Sequence, residues 1–320
     1  MYTDTLRTIA GKKMLLEVGT GESDCINWVR ENKSKVDHYL SVDGVLLIRG
    51  LQIDGVEQFG NTLAELFGEK LATYTYRSTP RKELQHNIYT ATEYHSSEEI
   101  PQHNENSYAD SWPLRIGFFC MVPPGKLGKT PISDSRLAYL EIPAEIRAEF
   151  ERKKVMYVRN YSNIDLPWTE VFQTSEKAVV EKYCNEHRLA YEWLPGGQLR
   201  TKQINQASIS HPVTGEKLWF NQAHLFHISS LHAEMREDLV SLIGEENLPR
   251  NAFFGDGTPI DEQALSIIRN VYAQTKFSFQ WEKNDLLLLD NMLFTHGREP
   301  FEGPRRILVG MAKEYYPSRS

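Results

Sequence analysis

Apolar positions along the chain form two kinds of pattern, short continuous runs and longer segments with a helical period. Residues 44–50 enclose the run Val-Leu-Leu-Ile between an initial and a final glycine, which is typical of a buried strand. In residues 56–67 the apolar positions recur at close to helical spacing, and the segment stops at Gly68, so it predicts an α-helix. Further apolar runs at 115–122 and 285–290 predict two more buried strands.

The remaining elements are predicted from shorter patterns of the same kind. Polar residues 74–101 show little periodicity and predict a loop-rich, lid-like insertion. Residues 160–275 predict a largely helical insertion that would cover one mouth of a barrel. Strands are predicted at 155–158, 190–194, 217–220, 277–281 and 306–313, helices at 23–40, 143–153, 175–187, 232–242 and 261–273, and a loop at 291–303. No repeat, linker or low-complexity tract is visible, which favours one domain over residues 1–320.

Charge and cysteine content exclude several classes of function. The 320 residues carry 36 basic and 43 acidic side chains, which gives a net charge of -7. This excess of acidic residues does not indicate binding to a nucleic acid or to an anionic membrane. The three cysteines lie far apart without metal-finger spacing and are expected to be reduced thiols. The N-terminus has no apolar leader, and no apolar run reaches the length of a membrane span. We therefore expect a cytoplasmic protein.

The candidate chemistry begins with a histidine and a carboxylate two residues apart. On an extended strand His103 and Glu105 would point the same way and could bind one metal ion from one face of a sheet. Alone, such a pair occurs by chance, but His296 follows a closing apolar strand and offers a third ligand. Two histidines and one carboxylate leave the opposite face of an octahedral metal open, which suits Fe(II) chemistry. An Arg from the pair Arg305-Arg306 could bind a carboxylate bidentately.

The order of these motifs resembles a known family. The His-x-Glu motif, a Gly-Lys-Thr-Pro segment, an Asn-x-x-x-x-His-Gly-Arg segment and a Gly-Pro-Arg-Arg segment are similar to the taurine dioxygenase/TfdA family of Fe(II)- and 2-oxoglutarate-dependent oxygenases. The resemblance extends from about Gly44 to Lys313 and is strongest in 101–136 and 285–313. It favours the clavaminate synthase-like branch and the hydroxylases of nonribosomal-peptide pathways. The fold implied is β with surrounding helices (α+β), a double-stranded β-helix, which is the cupin-like jelly roll.

The resemblance implies a role for each matching residue. His103, Glu105 and His296 correspond to the metal ligands, and no catalytic side chain beyond them is implied. Many members carry Asp where this chain has Glu105, and Glu is the ligand in the clavaminate-like branch. Its presence also argues against halogenation, because the iron halogenases of this fold have Ala or Gly at that position.

Two further positions match the family's co-substrate site. Thr130 corresponds to the residue whose hydroxyl contacts 2-oxoglutarate, and Arg306 corresponds to the Arg that binds its distal carboxylate. Neighbouring residues of a strand point in opposite directions, so we expect Arg305 to face away if Arg306 faces the site. If Arg305 binds the carboxylate instead, the predicted strand register is wrong by one residue.

The resemblance also implies the cofactors and the reaction. Fe(II), 2-oxoglutarate and O₂ would act together, with succinate and CO₂ as co-products, and hydroxylation of an unactivated C–H is the default outcome. The expected substrate is an amino acid or an amino-acid derivative, free or on a carrier protein, in specialised metabolism. Desaturation, epoxidation and cyclisation need the same ligands and remain open. Outside this class, two alternatives remain. The intact set of three ligands disfavours a non-catalytic jelly-roll binding protein, and a zinc hydrolase with the same ligands would give Arg306 and Thr130 no role.

Substrate contacts are less well defined by the sequence. Residues that follow the metal motif, together with polar side chains near other strand ends, are candidates to line the pocket. The candidates are Asn104, Ser107, Tyr108, Arg115, Asn221 and Arg298, with Arg77 as a further cation for a substrate carboxylate or a carrier phosphate. His224 and His227 lack a carboxylate at ligand spacing and are expected to be ordinary hydrogen-bonded histidines.

Overall fold

The strands of the protein come from the whole length of the chain. The structure, a computed structural model, describes residues 6–19, 25–73, 76, 82–85, 87–91, 94–162 and 164–317. The strands in this part are β1 (Arg7–Ile9), β2 (Lys12–Glu17), β3 (Val45–Arg49), β4 (Glu83–Gln85), β5 (Ile88–Thr90), β6 (Ile100–His103), β7 (Trp112–Val122), β8 (Lys126–Leu127), β9 (Ile132–Asp134), β10 (Val155–Tyr161), β11 (Ala190–Trp193), β12 (Leu199–Asn205), β13 (Ser208–Ser210), β14 (Lys217–Trp219), β15 (Arg250–Phe254), β16 (Leu286–Asp290), β17 (Phe294–Arg298), β18 (Phe301–Glu302) and β19 (Arg306–Tyr315).

The helices lie at the N-terminal side and within the middle third of the chain. In the described residues they are α1 (Cys25–Val42), α2 (Gly55–Phe67), α3 (Ser135–Glu141), α4 (Ala144–Lys153), α5 (Trp168–Val171), α6 (Lys177–Glu186), α7 (Ala223–Phe226), α8 (Ala233–Ile243) and α9 (Glu262–Thr275). The predicted C-terminus of α2 is confirmed, since Gly68 takes the left-handed conformation that ends a helix (φ 73°). None of the helices described is long and apolar enough to cross a bilayer.

A large antiparallel sheet and a small one form the jelly roll. The large sheet has the strand order β1-β2-β3-β16-β7-β19-β5-β4, with β2 and β3 the parallel pair. The small sheet has the order β6-β17-β9. Buried side chains of both sheets, including Phe118 and Val309 from the large sheet and Ile132 and Phe294 from the small one, share a hydrophobic core. Phe118 of this core contacts the His296 ring of β17.

The second face of the large sheet is covered by α1 and α2. Along β16, Leu286 and Leu288 pack towards these helices, whereas Leu287 and Leu289 pack towards the jelly-roll interior. Because both faces are buried, the strand is a continuous apolar run and not an alternating one. Gly117 of β7 permits the close approach of α2, since a Cβ there would lie 2.5 Å from a methyl carbon of Leu63.

The middle third differs from the predicted helical insertion. It contains a four-stranded antiparallel sheet of order β11-β12-β10-β15, and helices pack around it in a separate core. Strands β10 and β11 lie where short patterns predict them, but β12 alternates buried and exposed side chains that are mostly polar, so hydrophobicity does not reveal it. The insertion is therefore mixed α/β in composition.

The loop-rich insertion predicted at 74–101 also contains strands. Within it, β5 pairs with β19 at the edge region of the large sheet and β6 enters the small sheet. Residues 74–75, 77–81, 86 and 92–93 lie outside the described residues, as do Arg77 and the predicted helix start at Ser23.

Two predictions near the C-terminus are wrong. The strand predicted at 277–281 is absent, because Phe277 makes a single bridge to Ile132 and the following residues have no strand partner. The loop predicted at 291–303 contains β17 and β18. Strand β17 is Phe-Thr-His-Gly-Arg, and all five of its residues are buried. A strand whose buried residues are mostly polar does not show the apolar run that marks other buried strands.

Candidate metal centre and co-substrate pocket

The two histidines of the predicted triad face each other across paired strands. His103 is the last residue of β6, and it pairs directly with His296 in the antiparallel β6–β17 ladder. Their ring centroids are 4.4 Å apart. Glu105 lies in the turn that follows β6, and its Oε2 is 3.8 Å from His296 Nε2. Potential ligand atoms of the three side chains all lie within 4.8 Å of one another.

This geometry differs from the predicted one in how the elements present the donors. The strand ends at His103, so Glu105 reaches the metal position from a turn and not from the same strand face. His296, predicted just past a strand end, is the middle residue of β17. The donor set is nevertheless the predicted one. Two imidazoles and one carboxylate at this separation fit a divalent ion that each donor binds at about 2.1 Å.

The imidazole of His103 is oriented by the backbone before the motif. Its Nδ1 lies 2.9 Å from the carbonyl oxygen of Pro101. A carbonyl oxygen only accepts, so Nδ1 carries the proton and Nε2 keeps its lone pair for a metal. The ring is thereby held in the tautomer that a ligand requires.

The backbone of Glu105 is clamped by Asn291. The Glu105 N–H donates to Asn291 Oδ1 at 2.7 Å, and Asn291 Nδ2 donates to the Glu105 carbonyl at 3.0 Å and to the Pro113 carbonyl at 2.9 Å. In return, Asn104 Nδ2 donates to the Asn291 carbonyl at 2.6 Å. Asn291 precedes His296 by five residues, so this clamp joins the two chain segments that carry the ligands. Asn291 is the first residue of the Asn-x-x-x-x-His-Gly-Arg segment, but the sequence pattern does not predict its role as the clamp of the Glu105 backbone.

A pocket containing both histidines also contains two cations. Among its lining residues are Thr130, Arg298 and Arg305. The Arg305 guanidinium donates from Nε to the Gly128 carbonyl at 3.0 Å and from Nη2 to Thr130 Oγ1 at 3.3 Å. In the part of the chain that the structure describes, no carboxylate lies within ion-pair distance of it.

Electrostatics make this pocket attractive to an anion. Burial, and then the positive charge of Arg298, lower the pKa of Arg305 to about 10. Burial is also the main cause that lowers the pKa of Arg298. A bound carboxylate would stabilise the charged forms of these two partly dehydrated cations. An Arg can bind such a carboxylate through two parallel hydrogen bonds.

The two neighbouring arginines are oriented in the opposite way to the prediction. Arg305 lines the pocket, whereas Arg306, the first residue of β19, is exposed. Ile307, Val309 and Met311 form the inner face of β19, and the two-residue period of a strand places Arg305 with them. The sequence could not set this register, because Leu308 on the opposite face is apolar and buried as well, so hydrophobicity does not mark the inner face of the strand.

Three candidate substrate residues serve the structure around the metal turn. Asn104 is fully buried and donates to Ser135 Oγ at 3.2 Å in addition to Asn291. Ser107 Oγ donates to the Asn104 carbonyl at 3.1 Å and closes the turn. The Tyr108 hydroxyl donates to the Tyr76 carbonyl at 2.8 Å, within an aromatic cluster.

The remaining three candidates are also placed by the structure. Arg115 forms a buried ion pair with Asp290, and Asn221 donates to the Ala207 carbonyl at 2.8 Å. Arg298 is the candidate that lines the pocket, and it also donates to the carbonyls of Tyr94, His95 and Glu98 at 3.1, 2.7 and 2.9 Å.

His224 and His227 make ordinary hydrogen bonds, as the sequence predicts. His224 Nε2 lies 3.0 Å from the Gln102 carbonyl, and His227 Nδ1 lies 2.9 Å from Ser229 Oγ. Burial lowers the pKa of His224 to about 3, so this ring is neutral at physiological pH. The one group of three or more possible metal ligands within the described ranges is His103, Glu105 and His296.

The fold and the donor set together define a class of protein. A jelly roll that carries two histidines and one glutamate beside a cationic pocket is the architecture of a non-haem iron oxygenase. The family model described as "Taurine catabolism dioxygenase TauD, TfdA family" matches residues 18–312. The chain belongs to this family, and it is an Fe(II)- and 2-oxoglutarate-dependent oxygenase that uses O₂.

Relatives agree with this assignment. A dapdiamide synthesis protein, DdaC, of Enterobacter agglomerans is 39% identical over 284 residues, which cover 88% of this chain and 86% of the relative. A clavaminate synthase-like protein of Arabidopsis thaliana is 26% identical over 297 residues, which cover 89% and 86% of the two chains. These matches extend along most of both chains.

Two solved structures share the fold at low sequence identity. PvcB of Pseudomonas aeruginosa, an Fe and α-ketoglutarate dependent oxygenase from an isonitrile synthetic pathway, has a TM-score of 0.53 at 16% identity, with 96% of this chain and 89% of PvcB covered. An asparagine oxygenase in complex with Fe(II), a 3-hydroxyasparagine and succinate has a TM-score of 0.55 at 10% identity, with 92% and 85% of the two chains covered.

Proposed function

We propose that this oxygenase hydroxylates an unactivated C–H bond of an amino acid or an amino-acid derivative, free or on a carrier protein, in specialised metabolite biosynthesis. One observation carries the proposal: the pocket that contains His103 and His296 also contains Arg305, a half-buried cation with no carboxylate in ion-pair distance among the described residues. The dapdiamide synthesis relative, at 39% identity, supports the biosynthetic setting.

His103, Glu105 and His296 hold Fe(II) in this proposal. The three donors approach from one side, because the two histidines lie on the paired strands β6 and β17 and the carboxylate lies on the adjoining turn. The opposite positions of an octahedral ion are then open to the co-substrate and O₂. Pro101 and Asn291 keep the donors in place through the backbone contacts described above.

Arg305 and Thr130 bind the distal carboxylate of 2-oxoglutarate in this proposal. The guanidinium and the hydroxyl are 3.3 Å apart in the pocket, so one carboxylate can contact both. Arg305 thus takes the role that the sequence pattern assigned to Arg306. Even with its pKa lowered to about 10, Arg305 is cationic at neutral pH.

The bound iron, with 2-oxoglutarate and O₂, supplies the oxidising power, and one oxygen atom enters the substrate while the second enters succinate. The protein's own residues bind and orient the reactants, and they exclude water from the pocket. Phe118 and Ile307 form apolar walls of the pocket, and Phe118 packs 5.0 Å from the His296 ring between centroids. Such walls strengthen the attraction between Arg305 and a carboxylate by removing water from it.

The substrate and the outcome are tested by mass spectrometry of a panel of amino acids, free and carrier-bound. The proposal predicts a gain of one oxygen that depends on Fe(II) and 2-oxoglutarate. A loss of two hydrogens would indicate desaturation or cyclisation, and an oxygen gained only by an alkene substrate would indicate epoxidation.

The same assay separates the oxygenase from two proteins of different classes. A non-catalytic jelly-roll binding protein would consume no 2-oxoglutarate. A zinc hydrolase would act with Zn²⁺ alone and would give Arg305 and Thr130 no role. Either result would contradict the proposed function.

The proposal treats residues 1–320 as one oxygenase domain. Strands β2 and β3, from the first fifty residues, extend the same sheet as β16 and β19 from the last forty. This pairing supports a single unit in which the N-terminal and C-terminal segments fold together.

A further inference from the structure

The hydroxyl of Thr130 accepts two hydrogen bonds from opposite elements. Trp281 Nε1 donates to Thr130 Oγ1 at 3.1 Å, and Arg305 Nη2 donates to the same oxygen at 3.3 Å. All three side chains lie in or beside the pocket that contains the metal histidines, and Thr130 is only 3% exposed. The hydroxyl is therefore surrounded by donors.

The two donors to Thr130 Oγ1 determine where the proton of this hydroxyl can point. An indole N–H and a guanidinium can only donate, and a hydroxyl has two acceptor positions and one proton. Both acceptor positions of Thr130 are taken, so its O–H must donate to a third group. Within the ranges that the structure describes, no protein acceptor for this proton lies within hydrogen-bond distance. The open direction is the pocket itself.

We propose that Trp281 is a positioning residue for the co-substrate, because its indole N–H and Arg305 together force the Thr130 hydroxyl to donate to the 2-oxoglutarate carboxylate. Without Trp281, one acceptor position of Thr130 becomes vacant. The hydroxyl can then rotate away from the carboxylate. The inference rests on the proposed function, since it concerns the same co-substrate pocket.

The loop that carries Trp281 is fixed from two strands of the large sheet. Arg49 of β3 donates to Asp285 through Nε and Nη2, each at 2.8 Å, and to the Gln280 carbonyl at 3.1 Å. Cys120 of β7 donates its N–H to the Asp285 carbonyl at 2.9 Å. Trp281 itself is 2% exposed. A fixed indole is what a positioning role requires, because a mobile donor would not set the hydroxyl direction.

Binding of 2-oxoglutarate to the Mn(II)-loaded protein, measured by calorimetry, tests the inference through a double-mutant cycle. Thr130→Val should weaken binding by about tenfold, because it deletes a hydrogen bond to a charged group, and Trp281→Phe should weaken it by roughly three- to tenfold. In the Thr130→Val background, Trp281→Phe should have almost no further effect, because no hydroxyl remains to orient. A purely structural role would not produce this coupling.

Phe279→Leu is the matched control. Phe279 packs edge-on against Trp281 at 4.9 Å between centroids and is equally buried, but it does not bond Thr130. We expect Phe279→Leu to leave the 2-oxoglutarate affinity within about twofold of wild type. Effects of Trp281→Phe and Thr130→Val that multiply, or an equal loss from Phe279→Leu, would overturn the positioning role alone. Absence of 2-oxoglutarate binding by the wild-type protein would overturn both this inference and the proposed function.

Discussion

Arg305 Nη2 and Thr130 Oγ1 lie 3.3 Å apart in the pocket of the metal histidines, whereas the next residue, Arg306, is exposed. Arg305→Ala should therefore raise the KM for 2-oxoglutarate by roughly two orders of magnitude, the value of a charge-assisted hydrogen-bonded pair, while Fe(II) affinity stays nearly constant. Arg306→Ala is the matched control and should change the KM by less than about twofold. The reverse pattern would show that Arg306 holds the co-substrate.

Asn291 should support the metal site through the backbone of Glu105. Asn291→Ala removes three hydrogen bonds and leaves buried backbone groups without partners, so we expect a loss of about 2–4 kcal/mol of stability. Fe(II) affinity should fall by about 10- to 100-fold, because outer partners fix the ligand geometry. Urea unfolding and anaerobic iron titration measure the two effects.

Asn221→Ala is the control for this prediction. Asn221 is also buried, and it bonds the Ala207 carbonyl and the Ala223 N–H. It should destabilise the protein without a large change in Fe(II) affinity. Equal iron affinities for wild type and Asn291→Ala would remove Asn291 from the support of the site.

Arg115 should contribute to stability and not to substrate binding. Burial opposes the charged form of Asp290, but the His211 hydrogen bond and the Arg115 charge outweigh it and lower the pKa of Asp290. Arg115→Met leaves this carboxylate buried without its cation, which should cost about 3–5 kcal/mol in urea unfolding. Arg7→Met, which breaks an exposed pair with Glu17, should cost less than about 1 kcal/mol. If Arg115→Met raised the substrate KM at unchanged stability, the sequence-based assignment to the substrate would be right.

The His187–Asp110 pair predicts a specific pH dependence of stability. His187 Nδ1 is 2.7 Å from Asp110 Oδ1, and this hydrogen bond, against the effect of burial, raises the pKa of His187 above 6.5. The stabilisation is fully present below pH 6.5 and is lost as the pH rises through the raised folded-state pKa. Because the pair is partly exposed, it should contribute less than about 1 kcal/mol.

His187→Gln isolates this contribution. The midpoint of urea unfolding should be lower for the variant than for the wild type at about pH 6, and the two midpoints should nearly coincide at about pH 9. A difference of the same size at both pH values would show that packing of the ring on Tyr183, and not the charge, is what the variant loses.

The sequence predicted the three possible metal ligands that the structure brings together, because the types and the order of these residues match the family's motifs. The resemblance to the family implies that His103 and His296 bind the same ion, and the β6–β17 pairing brings their rings together. Apolar runs such as β16 and periodic segments such as α2 were likewise predictable, because burial on a sheet or along a helix imposes its own spacing.

Features set by polar contacts could not be predicted in this way. Strand β17 is buried but mostly polar. The orientation of Arg305 depends on the register of β19, which hydrophobicity does not mark because both faces of that strand are apolar. The sequence makes Asn104 and Arg115 candidates for substrate contacts, because a polar residue near a motif gives the same pattern whether it binds a ligand or another part of the protein. The structure separates the two roles through the partners, because Asn104 donates to the Asn291 carbonyl and Arg115 pairs with Asp290.

In the proposed function, His103, Glu105 and His296 hold the iron at which 2-oxoglutarate is consumed. The most direct test of this proposal is succinate formation by the Fe(II)-loaded protein in the presence of O₂, 2-oxoglutarate and the amino-acid panel, for the wild type and for Glu105→Ala and His103→Ala. We predict succinate from the wild type and none from either variant, with both variants folded. Succinate formation that persists in Glu105→Ala or His103→Ala would contradict the account.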